Sequence, residues 1–424
     1  MRSQRVAGCI VLVSLMVVAV PAAPVSATRC LYAAHANDGI VSVIDASRGA
    51  VIGTIPFFRP NRTEARPHSS EIYVTAAVPD PLVAGRMVTG LARLDPLTAT
   101  VTQTFPLGPG DPYDITFAAD GSFAAMTFFR EFSRLSLFMP SDGLTTPVIT
   151  AASPGAGTEL FDVALSADGT TAWATVPFDN RVLEVDLGAG SIVASIPLPA
   201  EFRARRILLS PDGATAYVTA PPSVLHVPGA STEGPGRLVL IDTATATVRD
   251  VIPLPHAPEA IQLDADGAVA WITYPNAELL GAIDLEGGGQ QTVPLAGAAI
   301  DFTRSPNGDS LYVIESTLTS DAIAVVDTAS AAITGRIRIP QLPYGLSVIE
   351  VDGLCAAAPV PCPGDCDASG AVDVSELLAA VTISFDRYRL RRCLAADLGW
   401  DGRVDVADMT RAIGSALDGC SVAP

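Results

Sequence analysis

The stretch ILLSPDGATAYVT, Ile207–Thr219, decides how the rest of the chain is read, because the chain keeps rewriting it. It is a short apolar run, a Pro-Asp-Gly turn, and then an alternating run that contains an aromatic. The same positions return as ITFAADGSFAAMT (Ile115–Thr127), VALSADGTTAWAT (Val163–Thr175), IQLDADGAVAWIT (Ile261–Thr273) and FTRSPNGDSLYVI (Phe302–Ile314). TEARPHSSEIYVT (Thr63–Thr75) is a worn copy and LSVIEVDG (Leu346–Gly353) is half of one. Two short β-runs joined by Asp-Gly or Asn-Gly predict a hairpin, since these residues tolerate the positive φ of a tight turn.

After most of these hairpins comes an apolar run ending in Asp: VSVID (Asp45), LARLD (Asp95), VLEVD (Asp186), LVLID (Asp242), GAIDL (Asp284) and IAVVD (Asp327). A further β-rich run follows each. One unit is therefore four short strands in about 41 to 54 residues, which predicts an all-β fold, a β-propeller. Counting the half copies at the two ends, the ring has seven blades. The recurring Asp residues are expected to cap turns by accepting backbone N–H groups two or three positions on. Tyr32, Tyr73, Trp173, Tyr217, Trp271 and Tyr312 share one repeat position, and packing of blade against blade is the reading preferred over an aromatic ligand cage.

YVTA at Tyr73–Ala76 and at Tyr217–Ala220, with the Pro-Asp-Gly turns, resembles the YVTN-type β-propeller repeat proteins over roughly residues 30–355. Blade three departs most, with Ala125 in place of the aromatic and Phe138-Met139-Pro140 in place of the terminal Asp. The resemblance speaks to fold, since propellers host many unrelated activities.

Residues 1–27 read as a secretory signal: Arg2 and Arg5, an apolar core over Val6–Val20, and Val25-Ser26-Ala27 as a small-residue cleavage site. No other apolar run is long enough to span a bilayer. With 26 Arg and no Lys against 45 acidic residues the net charge is −19, and losing Arg2 and Arg5 gives 24 − 45 = −21. Such a charge argues against nucleic acid or an anionic membrane as partner. A secreted, periplasmic or cell-surface monomer is expected.

Six cysteines follow the signal, an even number that suggests disulfides in an exported chain. Cys30 precedes a second strand that lacks its first, and Cys355 follows a first strand that lacks its second. Ring closure puts both half-hairpins in one blade, which predicts a Cys30–Cys355 bond. Near the start of each first strand, beside the central channel, stand Arg62, Asp114, Asp162, Arg206, Ala260, Asp301 and Gly345. The five charged residues are a candidate site for a cation or polar ligand, or interblade ion pairs. His35, His68, His226 and His256 have no metal-ligand spacing and read as surface residues, and no nucleophile elbow or phosphate loop occurs.

After a linker at 356–363 the pattern changes. DCDASGAVDVSE, Asp365–Glu376, matches a calcium loop: Asp365, Asp367, Ser369, the Ala371 carbonyl, Asp373 and bidentate Glu376, with Gly370 at the sharp turn. DLGWDGRVDVAD, Asp397–Asp408, offers Asp397, Asp401, the Arg403 carbonyl, Asp405 and Asp408, but Gly399 leaves one ligand position empty. Each loop runs into an apolar helical stretch. Paired loops of this kind over residues 364–420, before a tail at 421–424, resemble a dockerin domain. That resemblance implies calcium as cofactor and a cohesin-like or other extracellular protein as partner; a purely structural calcium module is the other reading. Four cysteines here allow three pairings, of which Cys362–Cys420 with Cys366–Cys393 is preferred.

The reading that follows is an exported, calcium-binding propeller acting as a non-catalytic extracellular interaction or surface scaffold. The alternative is a lactonase-like hydrolase that uses Asp114, Asp162 and Asp301 at the channel mouth.

Overall fold

A computed structural model describes residues 27–83, 86–129, 133–150, 153, 159–199, 201–223, 234–317, 321–340, 343–352, 355, 364–366, 371–385, 393, 396 and 404–419. Within them the chain forms seven four-stranded antiparallel sheets, the blades of a propeller. Blade one takes its innermost strand, Pro343–Asp352, from the end of the ring and its outer three, Ala27–His35, Ile40–Asp45 and Ala50–Pro56, from the start. Blades two to seven begin with Thr63–Ala65, Asp111–Phe117, Val163–Leu165, Ile207–Leu209, Ile261–Leu263 and Ala298–Arg304.

The hairpin reading holds. Ile207–Leu209 pairs with Thr215–Ala220 across a turn in which Gly213 has φ +71° and Asp212 accepts the Ala214 N–H at 3.0 Å. The terminal Asp residues cap their turns as expected: Asp186 accepts from Ala189 N–H at 2.8 Å, Asp242 from Thr245 N–H at 2.8 Å and Asp327 from Ser330 N–H at 2.8 Å. Ring closure also follows the sequence. Cys30 lies opposite Ile349, and the Cys30–Cys355 disulfide joins Cα atoms 5.6 Å apart.

The repeated aromatic fills the seam between each blade and the next. Tyr73 of blade two meets Phe117 and Phe138 of blade three at centroid distances of 5.2 and 5.7 Å. Trp173 of blade four packs with Ile207 and Val218 of blade five, and Trp271 of blade six with Phe302 and Val313 of blade seven. These rings are buried because a flat, large side chain at one register closes the wedge-shaped gap between twisted sheets. At the seam after blade three, where Ala125 stands, Leu135, Ile149 and Leu160 share the packing. His35 corrects the surface reading: it is fully buried in blade one, its Nε2 3.0 Å from Ser42 Oγ.

Past the ring the described residues contain two short helices, α1 (Val374–Phe385) and α2 (Val406–Asp418), and the Cys366–Cys393 disulfide. The expected Cys362–Cys420 bond lies outside the described residues, as do loop positions Asp367, Ser369, Asp397, Asp401 and Arg403, the tail, and the signal segment apart from Ala27. No helix of the described residues is long and apolar enough to cross a membrane. Two disulfides fit folding outside the reducing cytosol.

Candidate active site at the channel mouth

The seven innermost strands enclose a central cavity of about 520 Å³. Arg62, Asp114, Asp162, Arg206 and Asp301 all line it, so the five charged positions picked out by the repeat do converge on one place. They are also ion-paired between blades, so both sequence readings describe the same residues. Arg206 Nη1 of blade five lies 2.8 Å from Asp162 Oδ1 of blade four, and Arg62 Nη1 of blade two lies 2.7 Å from Asp301 Oδ2 of blade seven.

A recurring threonine fixes these side chains from below. Thr175, in the WAT stretch, accepts the Asp162 N–H at 3.0 Å and donates its hydroxyl to the Arg205 carbonyl in the next blade at 3.0 Å. Thr219 repeats the arrangement, accepting from Arg206 N–H at 3.0 Å and donating to the Glu259 carbonyl at 2.9 Å. The third letter of each YVT-like stretch is thus a strut between blades. Both of its polar functions are satisfied in a buried place, where an unmet one would be costly.

Asp162 is held on three sides. Besides Arg206, its Oδ2 accepts the Ile207 N–H at 2.7 Å, and its carboxyl is hydrogen-bonded to that of Asp114. Asp114 in turn accepts from Val163 N–H at 3.4 Å and Thr116 Oγ1 at 3.5 Å. Burial and the Asp114 charge push Asp162 well above the usual carboxylate range, and burial raises Asp114, with Arg62 pulling the other way. Burial and the neighbouring carboxyl therefore both favour a protonated group in this pair, against the pull of Arg62. Burial works against the Arg62 charge, but Asp301 and the neighbouring acids outweigh it and the guanidinium stays protonated.

Five further residues escape the sequence reading. Glu64 stands two positions beyond Arg62, on the same channel-facing register, and burial, Asp114 and Asp301 push its carboxyl up to about 8 against the pull of Arg62. Period-two alternation along the innermost strand would have found it. Tyr113 and Phe161, one position before Asp114 and Asp162, bring their rings within 3.8 Å. The guanidinium of Arg206 sits 5.7 and 5.6 Å from those two rings, and Arg205 Nη2 pairs with Glu259 at 2.8 Å. Tyr113, Phe161, Arg205 and Glu259 share the position before the ring residue of their blades, but its residue type changes from blade to blade, so no motif marks it.

The C-terminal helices start alike. Asp373 accepts the Ser375 and Glu376 N–H groups, while Glu376 accepts back from Asp373 N–H at 2.8 Å and from Cys366 N–H at 2.6 Å. Asp405 and Asp408 make the same reciprocal cap on α2. Asp365, Glu376 and Asp408 are buried. Among the described residues no group of three or more His, Cys, Asp or Glu could hold a metal ion.

No family model matches the chain, and no curated protein matches it. Solved structures do. A periplasmic gluconolactonase of Pseudomonas aeruginosa superposes with a TM-score of 0.59 at 15% identity, covering 77% of this chain and 100% of that one. Kuenenia stuttgartiensis hydrazine synthase gives 0.57 at 17%, covering 69% and 90%. A Bacteroides uniformis protein described as a candidate 6-phosphogluconolactonase gives 0.56 at 14%, covering 76% and 99%. Identities this low show the fold alone. The expectation of a non-catalytic scaffold is corrected at this point: two of these neighbours are named as lactonases and the third as hydrazine synthase.

Proposed function

We propose that the channel mouth is the active site of a lactonase-like hydrolase. The observation that carries this reading is the convergence of Asp114, Asp162, Arg206 and Arg62 on one open cavity, and in this reading the two carboxyls hold one proton between them. Hydrolysis of a cyclic ester needs a base for water, a stabiliser for the oxyanion and an acid for the departing alkoxide. The ionised half of the pair takes a proton from water as the water oxygen bonds to the carbonyl carbon. Arg62 and Arg206 face the oxygen on which charge develops. When the ring C–O bond breaks, the shared proton goes to the alkoxide and the proton taken from water restores the pair. The names of the two lactonase neighbours support this reading.

The test is a pH-stat assay with δ-gluconolactone and δ-valerolactone. Asp162→Asn should lower kcat by at least about 100-fold, the usual weight of one acid–base group. A fully active Asp162→Asn protein, or no turnover of any lactone by the wild type, removes the reading.

The motifs of the YVTN-type and dockerin-like resemblances support a propeller at 28–355 and a module at 364–420 as the division of the chain. Asp365, Asp367, Ser369, the Ala371 carbonyl, Asp373 and Glu376 would hold one calcium ion, with a second at Asp397, Asp401, the Arg403 carbonyl, Asp405 and Asp408. All are hard oxygen donors at the spacing of a calcium loop, which supports this reading. Calcium bound there would cross-link the loops. A secreted, periplasmic or surface location agrees with the disulfides.

A further inference from the structure

A second cavity, of about 570 Å³, lies where blades one to three meet, and three of its lining residues stand one or two positions before residues that line the channel. Asn61 in its lining is followed by Arg62, Pro112 by Tyr113 and Asp114, and Tyr344 by Gly345. Three of the chain segments that open innermost strands therefore run from the side cavity into the channel. Tyr344 is the common wall, since its carbonyl accepts the Arg62 Nη1 hydrogen at 3.1 Å while the residue lines the side cavity.

The side cavity gathers large apolar side chains among polar ones, Arg59, Asn61, Thr75 and Thr89. Phe58 is 56% exposed, Met87 41% and Tyr344 38%, three large side chains gathered around one hollow. Isolated exposed apolar residues need no explanation, but a cluster lining a concavity does. The backbone is strained to make it. Ala77 N–H donates to the Phe58 carbonyl at 2.8 Å, Arg59 then adopts φ +53°, and Asn61 N–H reaches the Thr75 carbonyl at 2.9 Å. A left-handed arginine persists only where neighbouring bonds impose it.

The geometry points to a substrate-tail subsite: the side cavity takes an apolar alkyl substituent of the lactone whose carbonyl reacts at Arg62 and the Asp114–Asp162 pair. This rests on the hydrolase reading and narrows its substrate class to lactones carrying an aliphatic chain on the ring carbon. Each methylene entering the cavity leaves water, which should raise kcat/KM by about threefold per carbon until the cavity is filled.

The experiment compares δ-valerolactone, δ-octalactone and δ-decalactone with the wild type, Met87→Trp and Phe58→Ser, by turnover and by calorimetric binding. Wild type should prefer δ-decalactone over δ-valerolactone by at least about 10-fold. Met87→Trp, which fills the cavity, should bring that ratio close to one, and Phe58→Ser should lower it. A ratio is unaffected by loss of folded protein, so poor folding of one variant does not mask the result. Turnover with no chain-length preference, or a preference unchanged in both variants, overturns the subsite and leaves the hydrolase standing. Chain-dependent binding that Met87→Trp abolishes, without turnover of any lactone, keeps the subsite and overturns the hydrolase. Neither binding nor turnover overturns both.

Discussion

Arg62 Nη1 and Asp301 Oδ2 lie 2.7 Å apart although their blades are not neighbours. Blade one stands between them, and at its ring position is Gly345, where a Cβ would come 2.8 Å from Arg62 Cα and 2.8 Å from the Asn61 carbonyl. The absence of a side chain lets the arginine reach across the closing blade. One ion pair thereby ties blade two to blade seven over the blade that the two ends of the chain share, and it also aims the guanidinium at the cavity.

Breaking that pair from one side should cost more than removing it. Arg62→Met leaves Asp301 buried without its partner and should destabilise by about 3 kcal/mol, whereas Arg62→Met with Asp301→Leu should recover at least half of that. Urea denaturation of the two single variants and the double variant measures the coupling. Additive losses would show that the pair does not tie the ring.

Glu64 should make stability depend on pH. Its carboxyl titrates at about 8 in the fold against 4.5 as a free side chain, so the folded protein holds a proton that the unfolded chain releases. The stability it contributes is complete below pH 4.5 and is lost as pH rises through about 8. Glu64→Gln should flatten the fall between pH 5 and pH 8.5 by about 2 kcal/mol, well short of the full shift because the channel admits water. Melting curves at the two pH values decide it, and a parallel fall in wild type and variant would place the pH sensitivity elsewhere.

The Cys30–Cys355 bond closes a loop of 325 residues, the longest constraint in the chain. Replacing both cysteines with Ala should lower stability by about 4–5 kcal/mol in the chain-entropy account. The loss should show as a lower denaturant midpoint with a larger m-value, because the unfolded chain freed of its cross-link exposes more surface. A change near zero would mean that strand pairing between Cys30 and Ile349 already closes the ring unaided.

Calcium added to the metal-free full-length protein should raise the melting temperature of the C-terminal module and give a calorimetric binding signal. Glu376→Gln should weaken that binding at least about 10-fold, since a bidentate carboxylate is the strongest single ligand of such a loop. No heat and no thermal shift on adding calcium would leave Asp373 and Glu376 as helix caps only.

The amino-acid sequence by itself determined the repeat. The Asp-Gly turns, the terminal Asp caps and the aromatic at one register are local instructions, and their physical causes act within a few residues of chain. Six copies with a half at each end also dictated ring closure and the Cys30–Cys355 bond, because a closed ring leaves no other place for the two halves. The register of Arg62, Asp114, Asp162, Arg206 and Asp301 was legible for the same reason. Which of them pair was not. Arg62 passes over Gly345 to Asp301 while Asp162 takes Arg206 and lies against Asp114, and these choices depend on distances around a ring that no linear spacing encodes. Glu64, the Tyr113–Phe161 contact and the cavity beside Tyr344 arise where segments from different blades converge. Burial there sets their chemistry, and only the tertiary structure decides burial.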